Sequence, residues 1–336
     1  MVLVTGGTGM VGSHLLYFLL KENTKVRAIY RKDSDIKAIK KVFALYTNEV
    51  DMFFNKIEWV KANIIDIPAL TLAFQNVTHV YHCAAIINFD PSKYKVLKKA
   101  NVEGTANVVN LCLANNVKKI CYVSSVATLG KTLNNQPINE ETHWNPDDKN
   151  NVYAITKYGA EMEVWRGTQE GLDAVIVNPG VIVGTSPDGD GSGVITSLAS
   201  KGIPFYPSGS MGIVDVQDVV NAMLLLMASE VKNERYVMVG ENVTYKELLS
   251  KLAILFGKKP PTKKLSKKVM FFSSGIDWML NKLFGVKRKL VKATVRSMFT
   301  ISLYDSSKIK ESFKFQFTPI DKTLHRIVNE SKNTLN

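Results

Sequence analysis

The sequence has few cysteines, and they form no recognisable pattern. Cys83, Cys112 and Cys121 are odd in number, far apart and without the spacing of metal ligands. This argues against a disulfide framework and against a cysteine-ligated metal site. We therefore expect reduced thiols in or near the core, no bound metal and a cytoplasmic protein.

Long apolar runs are also missing. The most apolar stretch, residues 219–229, is too short to cross a bilayer and predicts a core helix. An apolar run begins already at Val2, so we expect no cleavable signal peptide before it. With 336 residues, of which an ordinary 46% are hydrophobic, the chain is typical of a soluble globular protein of about two domains.

Acidic residues are the scarcer charged type, with 30 against 43 lysines and arginines, which gives a net charge of +13. Such an excess attracts nucleic acid, anionic lipid or phosphorylated ligands, or it simply keeps a helical face solvated. We see no nucleic-acid-binding motif and expect no nucleic-acid partner. The basic clusters after residue 257 are Lys258, Lys259, Lys263, Lys264, Lys267, Lys268, Lys287, Arg288, Lys289 and Lys292.

The first residues, "MVLVTGGTGMVGSHLLYFLLKEN", run from an apolar strand through a glycine-rich turn into a helical pattern. Gly6, Gly9 and Gly12 form a G-x-x-G-x-x-G spacing. Small residues let the backbone approach a pyrophosphate, whose charge is stabilised at a helix N-terminus. A tight turn without a ligand would also use glycine, but the strand–turn–helix order favours a dinucleotide site.

The end of the second predicted strand bears on which dinucleotide binds. "KVRAIY" is followed by Arg31 and Lys32 at the place where NAD-binding sites usually carry an acid. A guanidinium at this place accommodates the 2′-phosphate of NADP. We expect NADP, and NAD is the alternative because Asp33 and Asp35 follow shortly.

Apolar strands recur near residues 57, 78, 118 and 173, with helical patterns between them, most clearly over 92–115 and 151–170. This alternation predicts an α/β fold with a doubly wound parallel sheet, a Rossmann fold, whose ligand lies at the carboxyl ends of the strands. We expect a dinucleotide-binding domain over 1–184, rejoined by about 211–240. A smaller, mostly helical substrate domain would cover 185–336.

The stretch "YAITK" places Tyr153 four residues before Lys157, on one face of a predicted helix. An isolated pair of this kind is usually part of an ordinary surface helix. Here the helix follows a strand that ends in "VSS", at the expected ligand edge. A neighbouring ammonium lowers the pKa of a phenol, which is ordinarily about 10, so the pair is a candidate acid/base.

Seven motifs, taken together and in order, resemble the extended short-chain dehydrogenase/reductase superfamily of the NAD-dependent epimerase/dehydratase type. They cover roughly the first 185 residues, and the resemblance implies an NAD(P)-dependent enzyme. The motifs are "TGGTGMVG" (5–12), Asp66 in "NIIDI", "VYHCAA" (80–85), "NVEGT" (101–105), "YVSSVATLG" (122–130), "YAITK" (153–157) and "NPGVIVG" (178–184).

The resemblance also implies roles for single residues. Tyr153 would be the general acid/base, Lys157 would lower its pKa and bind the nicotinamide ribose, and Ser125 would orient the substrate oxygen. Ser124 competes for the last role, but counting back from Gly130 favours Ser125, which leaves Ser124 to bond backbone or cofactor. The other implied cofactor contacts are Gly6, Gly9, Met10, Val11, Gly12, Arg31, Asp66, Ile67, Ala84, Ala85, Asn101, Asn178, Pro179 and Val181.

Two further residues have a purely structural interpretation. Asn101, taken alone, would be a helix N-cap rather than a support of the site. His82 lies inside an apolar strand, where we expect a packed neutral histidine instead of a catalytic one.

The second half departs from the sugar-modifying members, which commonly carry an arginine just before their counterpart of "VDVQD". This chain has Met211 there. With Arg31, this makes it more similar to dihydroflavonol-reductase-like and 3β-hydroxysteroid-dehydrogenase-like members. We expect an NADP-dependent oxidoreductase acting on a small, fairly apolar molecule. A nucleotide-sugar epimerase or dehydratase using bound NAD, or a non-catalytic cofactor-sensing protein, are the alternatives.

Residues 263–289 interleave lysines with apolar side chains, among them Phe271, Phe272 and Trp278. The plain interpretation is core packing of the substrate domain. The alternative is an apolar cap over the active site whose basic rim contacts anionic membrane. The family resemblance adds the expectation of a homodimer.

Overall fold

The computed structural model describes residues 1–132, 136–187, 193–286, 288 and 290–335. Lys287 and Lys289 of the basic clusters lie outside these described residues. The strands are β1 Val2–Thr5, β2 Val26–Tyr30, β3 Glu58–Lys61, β4 His79–His82, β5 Lys119–Val123, β6 Asp173–Pro179, β7 Val181–Val183, β8 Phe205–Tyr206, β9 Ser210–Asp215, β10 Glu234–Met238, β11 Glu241–Thr244 and β12 Lys263–Lys264.

Helices connect these strands and dominate the last third of the chain. Short 3-10 segments at Ile36–Ile39, Pro91–Lys93 and Val126–Thr128 and a π-helical segment at Lys98–Glu103 accompany them. The α-helices are α1 Met10–Lys21, α2 Lys40–Phe43, α3 Val50–Asn55, α4 Ile67–Ala73, α5 Tyr94–Leu97, α6 Gly104–Ala114, α7 Val152–Gln169, α8 Gly193–Ser200, α9 Val216–Ala228, α10 Tyr245–Leu255, α11 Lys267–Phe284, α12 Lys292–Met298, α13 Ser307–Phe313 and α14 Ile320–Leu335.

Within the described residues, seven strands form one sheet in the order β10-β6-β5-β4-β1-β2-β3. Every neighbouring pair in this sheet is parallel. Parallel strands need crossover helices, and these cover both faces of the sheet. The predicted doubly wound fold is confirmed.

The two faces of the sheet bury separate cores because successive strand residues point to opposite sides. On one face Val4, Cys121 and Val175 pack against α1 and α9. On the other face Leu3, Ile120 and Ile176 pack against α4, α6 and α7. The three cysteines are free, and two of them, Cys112 and Cys121, are buried as expected.

Most of the residues after β6, apart from α9 and β10, lie outside the main sheet and its two cores. A three-stranded sheet, β11-β9-β7, packs its apolar side chains against α10 and α14. In contrast, Ser274 is the buried residue of α11, while Phe272 and Trp278 are 72% and 51% exposed. Core packing of 263–289, the plain interpretation of its sequence, is therefore wrong for α11.

Across the described residues, every helix falls short of the length and apolarity that crossing a membrane requires.

Candidate cofactor and active site

The glycine turn between β1 and α1 lies directly against the end of β4. Gly6 has a φ of +70°, and a Cβ there would lie 2.7 Å from the backbone nitrogen of Ala84. A Cβ on Gly12 would lie 2.2 Å from the carbonyl oxygen of Gly6. Larger residues at these two positions would push the turn away from the strand ends, so both glycines are required by the fold itself.

The N-terminus of α1 has the properties of an anion site. Its first helical hydrogen bond runs from the Ser13 N–H to the Gly9 carbonyl at 2.9 Å, so the N–H groups of Met10, Val11 and Gly12 precede the ladder. Gly9 caps the helix without a side-chain hydrogen bond. The twelve-residue helix therefore presents its positive dipole end without a competing carboxylate, which fits the pyrophosphate of a dinucleotide.

A cleft of about 600 Å³ opens beside the end of β2. It brings together Arg31 and Asp66, which the sequence motifs had suggested separately. Asp66 caps α4 by accepting the Ala69 N–H at 3.3 Å, and Ile67 beside it is 54% exposed. The cleft has the size of an adenosine site. Its lining residues are Tyr30, Arg31, Lys32, Asp33, Lys61, Ala62, Asn63 and Asp66, three cations against two acids.

Ser125 and Tyr153 meet at the carboxyl edge of the sheet. Ser125 follows β5, and Tyr153 lies in the first turn of α7, which Asn151 caps by accepting the Ala154 N–H at 2.8 Å. Burial raises the pKa of Tyr153 to about 12, against the opposing effect of a hydrogen bond with Ser125. The phenol is therefore protonated at neutral pH, and the predicted orienting serine is close enough to influence its pKa.

The amine of Lys157 is directed at β5, and its expected effect on the pKa of Tyr153 stays a prediction. Its Nζ donates to the hydroxyl of Tyr122 at 2.6 Å and to the carbonyl oxygen of Val123 at 2.8 Å. The side chain thus reaches back to β5 and lies over the Tyr122 ring at 4.3 Å. Burial lowers the pKa of Lys157 to about 7, with the charge of Glu161 opposing the shift.

Glu161 is a buried residue of this site that the sequence motifs did not reveal. Its carboxylate accepts from the hydroxyls of Ser124 and Thr128 at 2.5 and 2.7 Å, and pairs with Arg235 at 3.1 Å. It therefore fixes the turn that carries Ser125. The signal that could have indicated it is spacing, because Glu161 follows Lys157 by four residues on the same face of α7.

Ser124 and Asn178 belong to the same network. Ser124 uses its hydroxyl on Glu161, and the Asn178 amide nitrogen donates to the Ser125 carbonyl, Thr128 and Glu161 at 2.9–3.2 Å. The buried Oδ1 of Asn178 has no hydrogen-bond partner among the described residues. Both side chains thus support the Ser125 turn, and their cofactor contacts stay predictions.

Asn101 ties the loop after β4 to α7. Its Oδ1 accepts the Ile86 N–H at 2.8 Å, and its Nδ2 donates to the Ile86 carbonyl and to Thr156 at 3.0 and 3.2 Å. It lies within the π-helical segment, so the N-cap interpretation is wrong. This segment widens the helix locally, as π-turns often do at functional sites.

His82 is a core residue, as we expected. It is fully buried, with Thr5 at 2.6 Å from Nδ1 and Thr105 at 2.9 Å from Nε2. Burial lowers the pKa of His82 to about 3, so the ring is neutral. Thr5 also accepts the Ala84 N–H at 3.2 Å, which joins β1 to the loop after β4.

The remaining predicted contacts lie along the same edge. Ala85 is exposed after β4, Pro179 ends β6, and Val181 begins β7 with 37% exposure. The structure places them where strands of the fold end, and their contacts with a cofactor stay predictions.

Known proteins are similar to this chain in sequence and in fold. The family described as "NAD dependent epimerase/dehydratase family" matches residues 2–240. A putative dihydroflavonol 4-reductase of Synechocystis sp. is 26% identical over 98% of this chain and 94% of its own length. A sterol demethylase protein B of Methylococcus capsulatus is 30% identical over 77% of this chain and 75% of its own.

Among solved structures, the UDP-glucose 4-epimerase of Thermus thermophilus in complex with NAD has a TM-score of 0.73. It is 21% identical, and the match covers 98% of each chain. A likeness at this identity shows a shared fold.

Proposed function

The chain belongs to the NAD-dependent epimerase/dehydratase family and is an NAD(P)-dependent oxidoreductase, and from this premise we propose that it uses NADP to interconvert a hydroxyl and a carbonyl group on a small, fairly apolar substrate. The observation that carries this proposal is that Ser125 lies beside the buried Tyr153 phenol, one helical turn from the buried amine of Lys157.

The nicotinamide, when bound, supplies or accepts the hydride. Tyr153 holds a proton at neutral pH and donates it from its hydroxyl to the carbonyl oxygen during reduction. The Ser125 hydroxyl hydrogen-bonds the same oxygen and stabilises the charge that develops there. In the oxidation direction Tyr153 accepts the proton as a phenolate, a form that a charged Lys157 would stabilise.

Charge in the adenosine cleft supports NADP over NAD. Arg31 and Lys32 are exposed at its mouth, where they can pair with a 2′-phosphate. Asp33 and Asp66 share the cleft and are the residues an NAD-preferring site would use. The two cations directly after β2 lead us to propose NADP.

The polarity of the three-stranded sheet supports an apolar substrate. Met211, at the place of the sugar enzymes' diphosphate-binding arginine, is 8% exposed and packs in the core of the small sheet. It therefore offers no charge to a nucleotide sugar. The names of the reductase and sterol-demethylase relatives agree with an apolar substrate. By family analogy and from its free thiols, we further propose a cytoplasmic homodimer.

The test is NADPH oxidation with a panel of apolar ketones, alongside epimerisation of UDP-glucose. Tyr153→Phe should reduce ketone turnover by about a hundredfold or more, because it removes the proton donor and little volume. Tyr158→Phe is the matched control on the same helix, since that ring stacks on Trp144 away from the pair. Full activity of Tyr153→Phe, or turnover of UDP-glucose alone with tightly held NAD, would refute the proposal.

A further inference from the structure

Helix α11 turns its apolar side outward. Six large apolar residues follow one another at intervals of one, three or four residues and so share one side of the helix. Their exposed fractions lie between 39% and 72%. We call this set the apolar stripe: Val269, Phe272, Ile276, Met279, Leu280 and Leu283.

The side of α11 that faces the protein carries polar residues beside the half-buried Met270. Ser274 is fully buried, and Asp277, three residues later, pairs with Arg288 at 3.6 Å and accepts the Leu290 N–H at 3.2 Å. Asn281, four residues further along, donates to the Val286 carbonyl at 2.8 Å. An ordinary surface helix has the reverse arrangement, with its apolar side inward. The stripe is thus not a poorly covered core face.

Lysines surround the apolar stripe. Lys267, Lys268 and Lys282 lie on α11 and are exposed, and Lys263 and Lys264 precede the helix. Asp277 is the single acid between residues 263 and 286, and it is held by Arg288 on the inward side. The exposed charge along α11 and the residues just before it is therefore positive alone, next to an exposed apolar stripe.

We propose that α11 lies in the plane of a bilayer surface and docks the protein on anionic phospholipid. An apolar stripe enters the boundary between headgroups and acyl chains while flanking lysines reach the lipid phosphates. A second copy of this chain is a poorer occupant, because a two-fold interface would bring the same lysines together. Charge complementarity selects the anionic lipid.

The docking helix lies next to the catalytic pair. Arg288, just past the end of α11, pairs with Asp90 at 3.4 Å as well as with Asp277. Asp90 adjoins Phe89, whose ring packs 5.5 Å from that of Tyr153. Docking through α11 would thus hold the active site close to the bilayer, from which an apolar substrate can enter. Docking itself needs neither cofactor nor substrate and does not depend on the proposed reaction.

Co-sedimentation with vesicles tests the proposal. The full chain should bind phosphatidylcholine vesicles that contain phosphatidylserine at low salt. Binding should weaken at high salt, which screens surface charge, and with phosphatidylcholine alone. Equal binding to both vesicle types, or no binding to either, would overturn the proposal.

Variants separate the contribution of the lysines to membrane binding from that of the apolar stripe. Lys264→Glu, Lys267→Glu and Lys268→Glu together should weaken partitioning by about a hundredfold. The control reverses three exposed lysines at the opposite, amino edge of the main sheet, Lys21, Lys25 and Lys118, and should leave most of the binding intact. An equal loss in both triple variants would mean that net charge alone drives binding, which contradicts a docking helix.

The apolar stripe is tested in the same way. Phe272→Gln with Leu283→Gln removes two side chains that are 72% and 66% exposed, so the fold should survive. Partitioning should fall at least about tenfold. Leu72→Gln with Met52→Gln is the matched exposed control, and it should bind normally. If the stripe variant binds vesicles normally but turns a dimer into a monomer in sedimentation velocity, a second copy covers the stripe and the proposal is wrong.

Discussion

The charge on Lys157 is coupled to folding, which gives a direct test of its burial. Burial lowers the pKa of Lys157 to about 7, whereas a lysine in the unfolded chain has a pKa of about 10.4. Between these values the unfolded state binds a proton that the folded state lacks. The free energy of unfolding therefore rises with pH in this window. Well below pH 7 this pH dependence disappears, because Lys157 is protonated in both states.

The size of the effect follows from the two pKa values. A full proton difference contributes about 1.4 kcal/mol per pH unit, and the slope is about half of that at pH 7. Integration from pH 6 to about 8.5 gives about 2 kcal/mol. Measurements should stop there, because burial raises the pKa of the Cys112 and Cys121 thiols. At higher pH the unfolded thiols lose protons that the folded ones keep, and stability falls.

Urea unfolding between about pH 6 and 8.5 measures this difference. Lys157→Met keeps most of the length of the side chain and removes its charge. From pH 6 to 8.5 the free energy of unfolding of this variant should rise by about 2 kcal/mol less than that of the wild type. Lys118→Met, at an exposed position, is the control and should retain the rise. Parallel curves for wild type and Lys157→Met would show that the amine stays charged in the folded protein. The low pKa that we derive from burial would then be wrong.

Two further substitutions test Lys157 and the cleft beside β2. Tyr122→Phe removes the oxygen that accepts from Lys157 and leaves Val123 as the acceptor. A hydrogen bond to a charged group contributes about 1.5–3 kcal/mol, so the pKa of Lys157 should fall by about one to two units. The alkaline limb of the kcat/KM profile should then move to lower pH. An unmoved limb would mean that Tyr122 does not stabilise the charge on Lys157. Arg31→Asp should weaken NADPH binding by several-fold to a few hundredfold and NADH binding less, as measured by fluorescence titration; equal losses would mean that Arg31 does not contact the 2′-phosphate.

The fold could be predicted because its signals are local. Each buried parallel strand is an apolar run, and each crossover helix has its own periodicity, so the strands near residues 78, 118 and 173 were predicted close to β4, β5 and β6. The helix predicted over 92–115 is instead interrupted by a π-helical segment. Its cause is tertiary, because Asn101 there bonds Ile86 and Thr156 in other elements. Helical periodicity contains no information about such contacts.

The place of the candidate site was predictable where a residue belongs to a motif, as for Gly6, Gly12 and Tyr153, whose roles stay predictions. Tyr122 and Glu161 were missed because their roles depend on how β5 and α7 pack together. Four-residue spacing places an amine and a phenol on one face of α7, but the hydroxyl and carbonyl of β5 decide which atoms the amine reaches.

The sequence of α11 contained the signal that would have separated a core helix from a docking helix. Apolar periodicity alone fits both, since it shows that one side is apolar but not which side faces inward. Ser274, Asp277 and Asn281 occur at intervals of three and four residues and define a second, polar side. Arg288, four residues past the helix, can neutralise the acid on that side. On this side Asp277 and Asn281 have partners within their own segment, so α11 can turn its apolar side outward. A solvent-facing apolar side with lysines nearby favours a surface that is both apolar and anionic.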